Sequence, residues 1–373
     1  MHSLKAIDDR DELESKSSKL LLLCGGGTGG HVFPALAIAS EMCRRGWRVS
    51  WLGRQAGMER RLVEAAGIDY RGLPASAVMG RGAVQRMLAL AGLVVSAVRA
   101  AVLIRRLDVR VVVGSGGYVS APGVLGAVLT ARPVVLLEPN AIPGAANRWL
   151  SRWARVAAVA DRSSGEAMRC EVVETGVPIR SDFFEQEQRP ASVETTRILV
   201  LGGSQGAKRL NEVLPPSLER LQPDKPIEVV HQVGEALLDQ ARATYASRRL
   251  HRIEVEVVPF ISEMHRALAN TDLVISRAGA VTLGEICAVG RAALLVPLEL
   301  AASHQVSNAE RLVARGGARM LRETDLNEES LRMAIEEMIQ DRNELVRMGE
   351  INRSLARPEA ASRVAELVQR AAG

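Results

Sequence analysis

Leu20-Leu21-Leu22-Leu23-Cys24-Gly25-Gly26-Gly27-Thr28-Gly29-Gly30-His31 is the stretch that decides the fold. Five apolar residues in a row read as a buried strand. Glycines crowd the turn that follows, and a helical pattern then runs from near His31 to near Gly46. Gly25 to Gly30 satisfies G-x-G-x-x-G between strand and helix, a loop that lets a diphosphate approach backbone N–H groups at the positive end of a helix. A dinucleotide fold would next place a carboxylate at the end of the second strand to hold a ribose. Here that strand ends Trp51-Leu52-Gly53-Arg54. This counts against NAD and leaves an NADP reading open through Arg54.

Outward from this unit, apolar runs of strand length alternate with amphipathic segments and Gly-rich turns, the pattern of parallel β-α-β units. Leu20 to Cys24, Arg48 to Leu52, Val109 to Val113 and Val134 to Leu137 are the expected strands of the first half. The pattern lapses in the charged, proline-flanked stretch between Pro178 and Thr196, read as a linker over residues 181–196. It restarts with Arg197 to Leu201, Ile227 to Gln232, Glu254 to Val258, Leu273 to Ser276 and Ala293 to Val296. An α/β protein of two Rossmann-like domains is expected, at residues 19–180 and 197–357. Beyond Leu331 the pattern is helical, with Pro358 breaking it before a last helix from Glu359. At 373 residues, two cores are the natural expectation.

Two further glycine turns follow strands: Gly114-Ser115-Gly116-Gly117-Tyr118, with Tyr118 a candidate substrate contact, and Gly202-Gly203-Ser204-Gln205-Gly206. Both are read as phosphate loops, the alternative being plain βα turns. Ser276 to Glu285 opens another helix after a strand. Its first amides can receive a phosphate, and Glu285, one turn in, can accept from two ribose hydroxyls.

Composition narrows the partners. The formal charge is +5, but Phe, Trp and Tyr make up only 3% of residues, too few for base-stacking platforms, so nucleic acid is not expected. Cys24, Cys43, Cys170 and Cys287 lie far apart with no Cys-x-x-Cys pair, which suggests neither zinc nor disulfides and fits a reducing cytosol. Met1 to Ser18 is polar and charged and reads as a disordered extension. Met87 to Ile104 is almost wholly apolar yet contains Arg99 and is edged by Arg81, Arg86, Arg105 and Arg106. A helix lying in an anionic membrane surface is the preferred reading, with a buried core helix or a span as alternatives.

Gly25 to Pro34 (GGGTGGHVFP), Gly116 to Pro122 (GGYVSAP), Gly202 to Ala207 (GGSQGA) and Ser276 to Glu285 (SRAGAVTLGE) resemble the signature segments of the MurG family, in the same order and across the chain from Lys19 onward. The resemblance implies a GT-B fold, two Rossmann-like domains whose parallel sheets face an interdomain cleft. It further implies a donor domain at the C-terminal side, and a last helix that returns to the first domain. The implied reaction is transfer of N-acetylglucosamine from UDP-N-acetylglucosamine to the 4-hydroxyl of the muramyl sugar on a polyprenyl-diphosphate-linked muramyl-peptide, at the cytoplasmic face of the inner membrane. Family donor contacts fall on Thr28, Gly29, Gly30, Asn140, Arg180, Ser204, Ile261, Ala280, Val281, Thr282, Leu283, Gly284, Glu285 and Gln305. Ser204 is implied to hold the diphosphate, the Ile261 backbone the uracil edge and Gln305 the sugar hydroxyls. Asn308 is expected to support Gln305 from one helical turn away. Two stretches depart from the family pattern: Leu137-Glu138-Pro139-Asn140 and Ala301-Ala302-Ser303-His304.

Direct displacement at the anomeric carbon needs a base. His31 is the first candidate because a helix N-terminus disfavours the imidazolium; Glu138 is the second, as base or as partner to His31. No Asp-x-Asp motif appears from Lys19 onward, so no metal or other cofactor is expected. A nucleotide-sugar epimerase, an NADP oxidoreductase and a non-catalytic UDP-sugar-binding protein are the competing readings. Free sugar product, a nicotinamide absorbance change, and binding without turnover would mark each in turn.

Overall fold

The computed structural model describes residues 19–57, 59–73, 83–186, 194–202, 207–299 and 304–373. The N-terminal extension, Arg81, Ser204 and Ala301 to Ser303 lie outside the described residues, as does the side chain of Arg86. The chain divides into two compact units, residues 1–139, 143–178 and 359–373 forming one and residues 140–142 and 179–358 the other.

Unit 1 comprises β1 (Leu20–Cys24), α1 (Gly29–Arg44), β2 (Arg48–Arg54), α2 (Glu59–Ala65), β3 (Asp69–Leu73), α3 (Ala83–Arg106), β4 (Val109–Gly114), α4 (Ala121–Leu129), β5 (Val134–Glu138), α5 (Ala145–Leu150), β6 (Val156–Val159) and β7 (Glu171–Glu174). Its seven strands run in the order β3-β2-β1-β4-β5-β6-β7, all parallel. The order reverses beside β1, so β1 and β4 diverge in their connections at their carboxyl ends, where such sheets bind ligands. β1 is apolar at every position because both its faces are covered. Leu21 and Leu23 pack with α1 and the C-terminal helix, Ala360–Ala372. Leu20, Leu22 and Cys24 pack with α3 and α4. That last helix places Val364, Leu367 and Val368 in the core of unit 1, and Lys19 Nζ donates to the Gly373 carbonyl at 2.9 Å.

Unit 2 comprises β8 (Thr196–Leu201), α6 (Lys208–Arg220), β9 (Ile227–Gln232), α7 (Leu238–Ala246), β10 (Ile253–Val258), α8 (Met264–Ala269), β11 (Leu273–Ser276), α9 (Ala280–Val289), β12 (Ala292–Leu295), α10 (His304–Ala314), β13 (Ala318–Met320), α11 (Glu328–Gln340) and α12 (Arg342–Leu355). Its six parallel strands run β10-β9-β8-β11-β12-β13. Phe183, in the stretch read from sequence as linker, is fully buried and meets the His265 ring edge-on. The strands read from sequence are present within a residue or two; β3, β6, β7 and β13 are additional.

Val364, Leu367 and Val368 each gain about 1.5–3 kcal/mol from burial, a sum comparable with a whole domain's stability. Truncation after Pro358 is therefore expected to unfold unit 1, seen as loss of its amide-exchange protection; undiminished protection would contradict this packing.

Candidate active site

At the carboxyl end of β1 the chain turns through Gly26 and Gly27, both at positive φ, before α1 starts at Gly29. Thr28 and Gly30 are exposed and Gly29 half-buried. His31 sits in the first turn of α1, and its Nδ1 lies 3.0 Å from the Ser115 carbonyl oxygen, at the end of β4. A carbonyl can only accept, so this bond places the proton on Nδ1 and leaves Nε2 of the neutral ring as a proton acceptor.

The second glycine turn is shaped by that ring. A Cβ on Gly116 would lie 2.8 Å from the His31 Nδ1 and Cε1, and one on Gly117 would lie 3.3 Å from its Cδ2. Both glycines also have positive φ. The turn read as a phosphate loop thus has a local reason for its glycines: it seats His31. The first loop likewise differs from expectation, because the Gly27 N–H is donated to Glu59 Oε2 at 3.3 Å. Tyr118 is partly exposed, its hydroxyl 3.5 Å from Arg54 Nη1.

Glu138, ending β5, is 1% exposed. Its Oε2 accepts from the Gly144 amide at 2.8 Å and from Asn147 Nδ2 at 3.0 Å, and Asn147 donates also to the Leu137 carbonyl. Asn147 was not singled out from sequence. A carboxylate held in this way anchors the turn that follows β5.

In unit 2, α9 starts at Ala280 with Gly279 as its N-cap in extended conformation and no side-chain cap. The first-turn amides of Ala280, Val281 and Thr282 have no partner within an α-helix, the arrangement that receives an anion. Leu283 is buried and Gly284 half-buried beneath them. Glu285 is half-buried as well. Desolvation pushes its carboxyl up from 4.5 to about 7, opposed by the charge of Arg180. The Arg180 guanidinium also lies over the Phe183 ring at 5.4 Å, and 3.8 Å from Asp182. Ile261 is half-buried after β10.

Asn308 departs from its expected role. Its Oδ1 accepts from the Ala141 amide at 2.8 Å, while its Nδ2 donates to the Ala278 carbonyl at 3.1 Å and reaches Asn140 Oδ1 at 3.4 Å. Gln305 instead accepts from the Leu298 amide at 3.0 Å. Asn308 therefore ties the Asn140 segment to the turn before α9 and does not brace Gln305; facing one turn away along a helix did not make them hydrogen-bond partners.

The glycosyltransferase family 28 N-terminal domain matches residues 21–159 and the family 28 C-terminal domain residues 197–367. The UDP-N-acetylglucosamine--N-acetylmuramyl-(pentapeptide) pyrophosphoryl-undecaprenol N-acetylglucosamine transferase of Burkholderia mallei (strain SAVP1) is 40% identical over 365 residues, 96% of this chain and 98% of that protein. The chain belongs to the MurG family. The transferase of the same name from Halorhodospira halophila (strain DSM 244 / SL1) is 40% identical over 362 residues, 95% of this chain and 99% of the relative. The crystal structure of Acinetobacter baumannii MurG superposes with a TM-score of 0.75 at 34% identity, covering 94% of this chain and 99% of that one. A UDP-GlcNAc 2-epimerase from Neisseria meningitidis shares the fold at a TM-score of 0.65 but only 12% identity. As a MurG-family glycosyltransferase the chain has the GT-B architecture read from its sequence.

Because the Glu285 carboxyl is raised, its stabilising contribution is complete below pH 4.5 and is lost as pH rises through about 7. Denaturant unfolding of E285Q is expected to lack that decline between pH 4.5 and 7; an unchanged pH slope would contradict the burial argument.

Proposed function

We propose that this chain transfers N-acetylglucosamine from UDP-N-acetylglucosamine to the 4-hydroxyl of the muramyl sugar of the undecaprenyl-pyrophosphoryl-MurNAc-pentapeptide acceptor, inverting α to β with UDP leaving. The observation that carries the reading is the His31 tautomer. A ring whose Nδ1–H is held by the Ser115 carbonyl offers Nε2 to an incoming hydroxyl. Unit 2 supplies the donor side. First-turn amides of α9 face the diphosphate, Arg180 offsets the charge of the departing UDP, and Glu285 accepts from the ribose hydroxyls. The family resemblance assigns Ser204, Ile261, Gln305 and Thr28 to Gly30 to the donor as well. In this scheme the leaving-group charge is met by the N-terminus of α9 and by Arg180, with no metal called on.

The acceptor's polyprenyl tail stays in lipid, so the enzyme works at an anionic membrane surface, on the cytoplasmic face and without spanning it. The apolar face of α3 supports this. Ala97, Ala100 and Ile104 are buried against the sheet side of unit 1, whereas Leu88, Val94, Val95, Val98 and Val102 are exposed. Only 33% of the window Met87–Arg106 is buried, although it is apolar enough in length and composition to cross a membrane. The exposed Arg99, Arg105 and Arg106 give this face positive charge.

Two measurements test the reading. H31A should lose roughly 10²–10⁴-fold in turnover while binding UDP as the parent does; near-normal turnover of folded H31A would end the base assignment. Replacing Val94 and Val98 with Asp should weaken cosedimentation with anionic vesicles without changing UDP affinity, and unchanged cosedimentation would exclude α3 as the contact.

A further inference from the structure

Glu59 is wholly buried at the first residue of α2. Nothing in the donor or acceptor chemistry above uses it, yet the surrounding chain is shaped to hold a carboxylate there. Its Oε1 accepts from the Arg54 amide at 2.9 Å and from the Tyr70 hydroxyl at 3.3 Å, while its Oε2 accepts from the Gly27 amide at 3.3 Å. A Cβ on Gly26 or Gly57 would fall inside the carboxyl group, and a Cβ on Gly53 would strike the Tyr70 hydroxyl. Three glycines thus leave room for one acid and its neighbour. Burial and the nearby Glu59 charge hold the Tyr70 hydroxyl well above its ordinary range, so it stays a donor; its one proton goes mainly to the Arg54 carbonyl at 2.6 Å, with Glu59 Oε1 the weaker, shared acceptor at 3.3 Å.

We infer that Glu59 is a positioning residue for the transfer reaction: it pins Gly27, and thereby the start of α1, so that the His31 ring meets the Ser115 carbonyl. Only a carboxylate answers this arrangement. Both oxygens face N–H donors, from Arg54 on one side and Gly27 on the other, and a carboxamide would point its own NH₂ at one of them. Three residues separate Gly27 from His31, the helix N-cap Thr28 among them, so releasing the Gly27 amide frees the turn that sets where α1 begins. The same buried negative charge occupies a loop amide that a diphosphate would otherwise take, which makes this loop a mount for His31. The inference rests on His31 as the base, and its test separates the two.

Full-length wild type, E59Q, Y70F and H31A would be labelled with ¹⁵N-histidine, the resonance missing in H31A assigning His31. Ring titration and transfer kinetics would then be measured on each. For E59Q the His31 midpoint shifts from that of wild type, and kcat falls roughly tenfold to a hundredfold, with the KM for UDP-N-acetylglucosamine changed by less than about twofold. Y70F keeps the Gly27 bond, and its His31 midpoint and kcat stay at the wild-type values. A wild-type His31 midpoint in E59Q, or equal shifts in E59Q and Y70F, would overturn the inference. Should E59Q not fold, G57A crowds the same carboxylate and is expected to displace the His31 midpoint; a wild-type midpoint in folded G57A counts against the role equally. Near-normal turnover in H31A would remove the base assignment alone, since the ring titrations decide independently whether Glu59 sets His31.

Discussion

A backbone carbonyl has no proton to give, and the bond between the Ser115 carbonyl and His31 Nδ1 therefore fixes the imidazole's tautomer as well as its place. Much of unit 1 near the strand ends can be derived from that bond. Ser115 must follow directly on β4 beside the end of β1, which parallel pairing of those two strands provides, Cys24 standing opposite Gly114. The ring must pack against the next turn, where a Cβ on Gly116 would lie 2.8 Å and one on Gly117 3.3 Å from its atoms. The start of α1 must be held, which falls to the buried Glu59 and the glycines around it. Glycine in these turns is a statement about what is packed there, before it is one about phosphate.

Unit 2 has similar parts, which suit the anion assigned to it in the proposed reaction. An anion needs unpaired N–H groups and a wall that does not repel it. Gly279 in extended conformation starts α9 without a side-chain cap, and Asn308 braces the preceding carbonyl of Ala278. Glu285 lies in the following turn, where desolvation pushes its carboxyl up to about 7 and Arg180 draws it toward the charged form.

The sequence carried the architecture because strands buried on both faces read as apolar runs: β1 and β12 are apolar throughout, and β4, β5, β8 and β11 carry their few polar residues mostly at or next to a strand end. It was silent on β3, β7 and β13, which are sheet edges with mixed residues such as Asp69-Tyr70-Arg71 and Glu171-Val172-Val173-Glu174, and on β6, whose Val156-Ala157-Ala158-Val159 is too short to stand out. His31, Glu138 and Glu285 could be picked out in the sequence as titratable residues at strand ends or helix starts. Glu59 and Asn147 were not, since their importance comes from contacts across 32 residues of chain to Gly27 and from a buried amide on Glu138. The one available clue was Gly57 two places before a glutamate, just after a strand whose end lacked the expected acid. Asn308 was misread because helical spacing tells which residues share a face and not which loop that face meets.

One assay tests the central claim most directly: purified chain, radiolabelled UDP-N-acetylglucosamine and a lipid-linked muramyl-pentapeptide acceptor, with labelled lipid and UDP measured in parallel. The account predicts label in the lipid as a β-linked sugar, UDP appearing in step with it, and neither without acceptor. Free or epimerised sugar released in the absence of acceptor would contradict it.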